Sequence, residues 1–218
     1  MDLDFSQLVP HMPYILRGVI VTLQFVSVSL IIGLILGVLL SIMKISRFTL
    51  LKWIADAYTS VFRGTPLILQ LSLLYFGTPQ FGIDITPYQA GVLAFGLNSS
   101  AYVSEIIRAG IQAVDKGQTE AAQALGVPYR SMMLKVILPQ AFKNILPALF
   151  NEFINLTKES AIVSTIAVAD LMRRAQIVNA GIFRYFESLL FVGLIYYLLV
   201  MGLTIIGRIL ERRLKRSD

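Results

Sequence analysis

Glu152, Asn155 and Glu159 stand at i, i+3 and i+7, the spacing that puts three side chains on one face of a helix. Their neighbours are largely apolar, and ionisable groups in such surroundings are costly unless they pair with one another or meet a polar ligand. A carboxylate there can accept from a cationic side chain or an ammonium group, and an amide can hold a carboxylate. On that chemistry the candidate solute-binding residues are Gln70, Asn98, Glu152, Asn155 and Glu159. The competing arrangement is structural, with Lys158 and the two glutamates neutralising each other at an aqueous boundary. Glu105 has a local alternative of the same kind, an ion pair with Arg108 three residues on. Asn98, Tyr102 and Glu105 also share a helical face, at i, i+4 and i+7.

Catalytic chemistry has no comparable set. The chain lacks the GxxxxGK[ST] loop that cradles nucleotide phosphates, and it lacks HExxH and the G-x-S-x-G elbow. With one histidine and no cysteine, a zinc site is not expected and disulfides are excluded. That histidine, His11, lies beside Pro10 and Pro13 and reads as a surface residue. The chain is therefore expected to be non-catalytic, to hold no metal, and to draw any energy for active work from another subunit or an ion gradient.

The elements that must position these residues are membrane helices. The 218 residues have a mean hydropathy of +0.72, with 56% apolar and only 15% charged side chains. That is the profile of a polytopic membrane protein. The net charge of +6 does not point to nucleic acid, because the basic residues are scattered between apolar runs rather than gathered on one face or tail. The acidic start, Met1-Asp2-Leu3-Asp4, lacks the basic leader of a cleaved signal, so the first span is expected to be retained. Apolar runs over about 14–45, 49–77, 88–113, 138–158 and 188–210 predict an all-α membrane protein with five transmembrane helices. With no internal repeat and no linker, 1–218 reads as a single transmembrane domain.

Interruptions carry information. Gly33 and Gly37 form a GxxxG suited to close helix contact. Arg63-Gly64-Thr65-Pro66 predicts a break, because proline lacks an N–H and crowds the preceding turn. Arg63 is expected near the cytoplasmic face, with 49–62 an interfacial helix and Trp53 and Tyr58 at headgroup level. Pro139 and Pro147 argue against a straight fourth helix. The connection over about 160–186 is expected outside, with 160–171 re-entering against protein, Arg173 and Arg174 at an aqueous boundary, and Asp170 capping a helix or lining a gate. Of the 19 Lys and Arg residues, 14 fall in 44–63, in 108–143, or from Arg208 onward. Five spans put those regions on one side, which the positive-inside rule makes cytoplasmic. The N-terminus is then outside and the C-terminus cytoplasmic.

The interval 115–139 is the longest polar stretch between apolar runs, and it reads as helix, stop, helix. Residues 119–125 have high helix propensity, Gly126 suits a left-handed residue after the helix end, and Pro128 suits the first turn of the next. The alanines leave one side of the short helix bare, which predicts a docking element. Glu120-Ala121-Ala122, then Gly126, then Val136-x-Leu138-Pro139 resembles the EAA loop of ABC-transporter membrane subunits, with Val136 where that family usually has Ile. Phe62-Arg63-Gly64-Thr65-Pro66-Leu67 and Ile166-Ala167-Val168-Ala169-Asp170-Leu171 resemble segments of the branch that imports polar amino acids.

The resemblance implies a fold like that of a type I ABC importer permease in the bacterial cytoplasmic membrane. It implies that the loop, through Glu120, Ala121, Ala122, Gly126, Leu138 and Pro139, docks a coupling helix into a cytoplasmic ABC ATPase. ATP and Mg would then be bound by that partner, with no cofactor in this chain. It further implies an outside solute-binding protein, a second permease copy in a homodimer, and an amino-acid substrate. Carboxylates in the candidate site favour basic amino acids. The alternative is an ion-coupled secondary transporter or channel whose intramembrane carboxylates bind the coupling ion. Such transporters often show paired repeats and broken helices in both halves, a pattern this sequence lacks.

Overall fold

Small residues decide how two long helices meet. In the computed structural model, which describes residues 3–215, helix α1 (Met12–Ile45) lies along helix α4 (Pro87–Gln112). A Cβ placed on Gly33 would sit 3.0 Å from Ser99 Cβ, and one on Gly37 would sit 2.6 Å from Val103 Cγ1. Nearer the other end, Gly91 of α4 abuts the ring of Phe25, so contacts ascend together in both helices and the pair runs parallel. This is the close approach expected of the GxxxG, where packing replaces a hydrophobic driving force. Ser29 and Ser41 donate to the carbonyls of Phe25 and Gly37, at 2.9 and 2.8 Å, so the buried seam leaves neither hydroxyl unbonded.

Two parallel helices require the chain between them to return. Helices α2 (Thr49–Gly64) and α3 (Leu67–Gly77) make that return, separated by an extended Thr65 and by Pro66. Helix α4 then starts at a capping box, in which Thr86 and Gln89 satisfy each other's backbone N–H groups, with Pro87 in the first turn. Two short helices follow, α5 (Lys116–Ala124) and α6 (Tyr129–Met132). A wide turn over Met133–Ile137 leads into α7 (Leu138–Glu159). Here the expected interruption takes the form of a π turn rather than a break, and Pro147 stays inside α7. Ser99 of α4 meets Glu152, whereas Gly110 meets Ile145, so α7 runs antiparallel to α4.

A 3-10 segment, Ser160–Ile166, and α8 (Leu171–Ile182) connect to α9 (Tyr185–Lys215). Val163, Ile166 and Val168 of this connection are buried with Phe25, Leu71 and Phe95. Phe25 and Phe95 meet edge to face at 4.9 Å. Asp170 caps α8 by accepting from the Arg173 N–H at 2.8 Å, which settles its capping role. Gly18 lets α1 cross the start of α8, where a Cβ would lie 2.5 Å from the Leu171 Cα.

No strand occurs among the described residues. Three stretches, Val9–Ile45, Pro87–Gln112 and Tyr185–Leu214, are long and apolar enough to cross a membrane. On α1 and α9 large apolar residues such as Ile20, Ile31, Ile35, Leu194, Leu198 and Ile206 are exposed, as in helices that are apolar all round. Of the two residues expected at headgroup level, Trp53 is exposed and Tyr58 is turned inward. Tyr58 donates to the Leu97 carbonyl and meets Ser100 Oγ, both at 2.9 Å, near the middle of α4. Thr59 and Tyr58 of α2 bond to α1 and α4, while Leu50, Trp53, Ile54 and Val61 stay outward.

Candidate functional site

Helix α7 brings Glu152, Asn155 and Glu159 to one side, as the spacing predicts. Glu152 is buried and accepts from Ser99 Oγ at 2.9 Å. Ser99 is the residue against which Gly33 packs, so α1, α4 and α7 converge behind this carboxylate. Asn155 and Glu159 are exposed. They continue a line of exposed polar residues, Asn144, Asn151 and Lys158, along the same face of α7. Exposed faces of α1 and α9 are apolar, whereas this one carries Asn144, Asn151, Asn155, Lys158 and Glu159, with half-buried Pro147 and Ala148 between the first two. Lipid tails cannot solvate such a stripe, so it belongs against water or against another polar protein surface.

Gln70 and Asn98 lie in a separate network. Both are buried, and Asn98 Nδ2 donates to Gln70 Oε1 at 3.0 Å. Gln70 Nε2 donates to the Phe62 carbonyl at 2.9 Å and to Thr65 Oγ1 at 2.9 Å, and Asn98 Nδ2 donates to the Phe62 carbonyl at 3.0 Å. These amides are engaged with the α2–α3 break, apart from the α7 carboxylates.

Further along the same face of α4, Arg63 lies over the Tyr102 ring at 5.5 Å and reaches Glu105 at 3.9 Å. Asn98, Tyr102 and Glu105 therefore share a face because α2 docks on it. Glu105 does pair with Arg108, at 2.6 Å, but its most buried partner is Lys44 of α1. Lys44 Nζ also reaches Thr59 Oγ1 at 2.9 Å and Asp56 at 3.6 Å. One carboxylate thus gathers cations from α1, α2 and α4. Sequence reasoning missed Lys44 and Ser99, although a lone buried cation needs a carboxylate and a lone buried carboxylate needs a donor.

The 115–139 loop is built as its grammar predicts. Asp115 caps α5, accepting from the Gly117 N–H at 2.6 Å. Gly126 has φ +69°, and the Val127 and Gly126 N–H groups close onto the Ala122 and Gln123 carbonyls at 3.0 and 2.9 Å. That pair of bonds is the Schellman closure for which glycine is preferred. The bare alanine side is split, however. Ala122 is buried with Met132 and Ile137 in the loop's own small core, while Glu120, Ala121 and Ala124 face outward. Leu125 and Tyr129, 82% and 63% exposed, flank that outward side. A groove of about 520 Å³ lies alongside, lined by Ile111, Val114, Lys116, Tyr129 and Met132. Leu138 is half-buried and Pro139 exposed where α7 begins.

At the opposite end, Arg184 pairs with Asp4 at 3.6 Å and with Glu187 at 3.5 Å, tying the N-terminal segment to the start of α9. Arg174 sits over Tyr14 at 4.8 Å.

Comparison with known proteins accords with this architecture. A family model for the binding-protein-dependent transport system inner membrane component matches residues 12–216. The arginine transport system permease protein ArtQ of Bacillus subtilis (strain 168) is 60% identical over 219 residues, covering 100% of each chain. The putative glutamine transport system permease protein GlnP of Rickettsia bellii is 50% identical over 206 residues, covering 94% of each. Among solved structures, a crystal structure of an amino acid ABC transporter with histidines superposes with a TM-score of 0.95 at 47% identity, covering 98% of this chain and 100% of that one.

Proposed function

The chain belongs to the family of binding-protein-dependent transport system inner membrane components, and from that premise we propose that it forms the pathway of an ATP-driven importer for polar, mainly basic, amino acids. Five crossings are proposed, made by α1, the broken α2–α3 pair, α4, α7 and α9. The alternating directions read from their contacts support this, although only three of these elements have the length and hydropathy of an isolated span. With Lys and Arg concentrated at one end, the N-terminus lies outside and the C-terminus in the cytoplasm.

One observation carries the pathway reading: the exposed polar stripe on α7, with buried Glu152 beside it. In a homodimer this stripe faces the space between the two copies, where the solute passes. Glu152 and Glu159 receive the cationic groups of the solute, and Asn155 its carboxylate. The relative named for arginine favours a basic solute, whereas the one named for glutamine favours a neutral one.

At the cytoplasmic end, exposed Glu120, Ala121, Leu125 and Tyr129 form the face that docks an ABC ATPase, with Ala122 and Gly126 shaping the helix and Leu138 and Pro139 joining it to α7. ATP and Mg are assigned to that ATPase, and solute is delivered by an extracytoplasmic binding protein. The test compares arginine and glutamine uptake in cells carrying Glu152→Gln or Glu159→Gln chains with their ATPase and binding protein. Arginine uptake is expected to fall at least about tenfold relative to glutamine, as a lost charged hydrogen bond predicts. Unchanged arginine uptake in both variants removes the site, and uptake that survives ATP depletion removes the ATP-driven reading.

A further inference from the structure

We infer that Gln70 and Asn98 form a clamp that holds the α2–α3 break in place beside the middle of α4, acting on transport by positioning Arg63 rather than by touching solute. The mechanical part stands on geometry alone, and its consequence for transport rests on the function proposed above.

The clamp follows from the chemistry of proline. In an uninterrupted helix the Phe62 carbonyl would accept from the N–H of residue 66. That residue is Pro66, which has none. The carbonyl is left without its helical donor in a protein interior, where an unpaired polar group is costly. Two amides supply the missing donors: Gln70 Nε2 at 2.9 Å and Asn98 Nδ2 at 3.0 Å. Gln70 Nε2 also reaches the Thr65 carbonyl at 3.1 Å and Thr65 Oγ1 at 2.9 Å, and Thr65 Oγ1 donates in turn to the Val61 carbonyl at 2.8 Å. The second Asn98 N–H goes to Gln70 Oε1 at 3.0 Å. Each amide nitrogen has two hydrogens, and these contacts occupy all of them. None is left to hold a solute carboxylate.

The clamp links both halves of the broken helix to α4, since Phe62 precedes the break, Thr65 lies in it, Gln70 follows it and Asn98 lies across from it. Its next neighbour is Arg63, adjacent to Phe62. Fixing the Phe62 carbonyl fixes where Arg63 leaves the backbone, and from there the guanidinium reaches Tyr102 and Glu105. Without the clamp, the break becomes a loose joint and Arg63 loses its register with the cluster that ties α1, α2 and α4.

The test uses the absence of cysteine in the chain. Ser100 is fully buried against Tyr58 of α2, so Ser100→Cys supplies a single thiol that reagent reaches only when α2 loosens from α4. In purified transporter, adding Asn98→Asp or Gln70→Glu, which keep size but leave at most one O–H donor where the amide has two N–H donors, is expected to raise the maleimide labelling rate of that thiol at least threefold. The same substitutions are expected to lower arginine and glutamine uptake together at least tenfold, leaving their ratio within twofold. Should either variant fail to yield monodisperse protein, Asn98→Ser and Gln70→Met replace them in the same labelling assay. Unchanged labelling overturns the clamp. A threefold or larger change in the arginine-to-glutamine ratio overturns it in favour of direct solute contact. If the parent chain carries neither amino acid, the functional reading fails while labelling still judges the clamp.

Discussion

Replacing Glu105 by glutamine removes the carboxylate that gathers Lys44, Arg63 and Arg108 and leaves their charges behind. The arms differ in worth. The Lys44 side chain is only 6% exposed and Glu105 20%, whereas Arg108 and Arg63 are 48% and 46% exposed. Breaking a buried pair by removing one partner destabilises by about 3–5 kcal/mol, and exposed pairs contribute about 0–1 kcal/mol each. Two features reduce the first figure: the incoming glutamine still offers an amide oxygen, and Asp56 remains 3.6 Å from Lys44. A net loss of about 2–3 kcal/mol is expected on these magnitudes. Unfolding of purified protein in detergent, followed through double-mutant cycles, isolates each arm. Glu105→Gln with Lys44→Met should show a coupling of about 2 kcal/mol, and Glu105→Gln with Arg108→Gln less than about 1 kcal/mol. An Arg108 coupling equal to or larger than that of Lys44 would refute the argument that burial ranks these pairs.

Two glycines give contrasting tests. Gly37→Ala puts a Cβ 2.6 Å from Val103 Cγ1 and 3.0 Å from the Ser100 carbonyl, so a loss of about 1–3 kcal/mol from overpacking is expected. Adding Val103→Ala should recover part of that melting stability by removing Cγ1, and no recovery would show that the retained Val103 Cβ, at 2.7 Å, and the Ser100 carbonyl dominate. Gly126→Ala meets no neighbour within 4 Å but must hold φ +69°. The expected loss of about 1–2 kcal/mol is therefore backbone strain alone. Gly126→Asn should lose less, because Asn tolerates that conformation, and ATPase co-purification should follow the same order.

Much of this molecule is local chemistry and was legible in the residues. Periodicity set the helices. Pro66 set the break, Asp170 marks a helix start, and Gly126 set the turn that ends α5. Each follows from a residue's own dihedral limits or from hydrogen bonds within a few positions. The helix, stop and helix of 115–139 and the shared face of Glu152, Asn155 and Glu159 were readable for the same reason.

Tertiary structure alone decided which helix each face meets. Asn98 and Ser99 are adjacent in the chain, yet successive residues turn about 100° around a helix axis. Asn98 consequently meets the α2–α3 break, while Ser99 meets Glu152 on α7. That rotation divided five candidate polar residues between an engaged amide clamp and a carboxylate face. It also gave Glu105 a partner 61 positions away in Lys44. Spacing along one helix fixes direction around its axis. What stands in that direction depends on how helices cross, and here close packing of small residues determines the crossing.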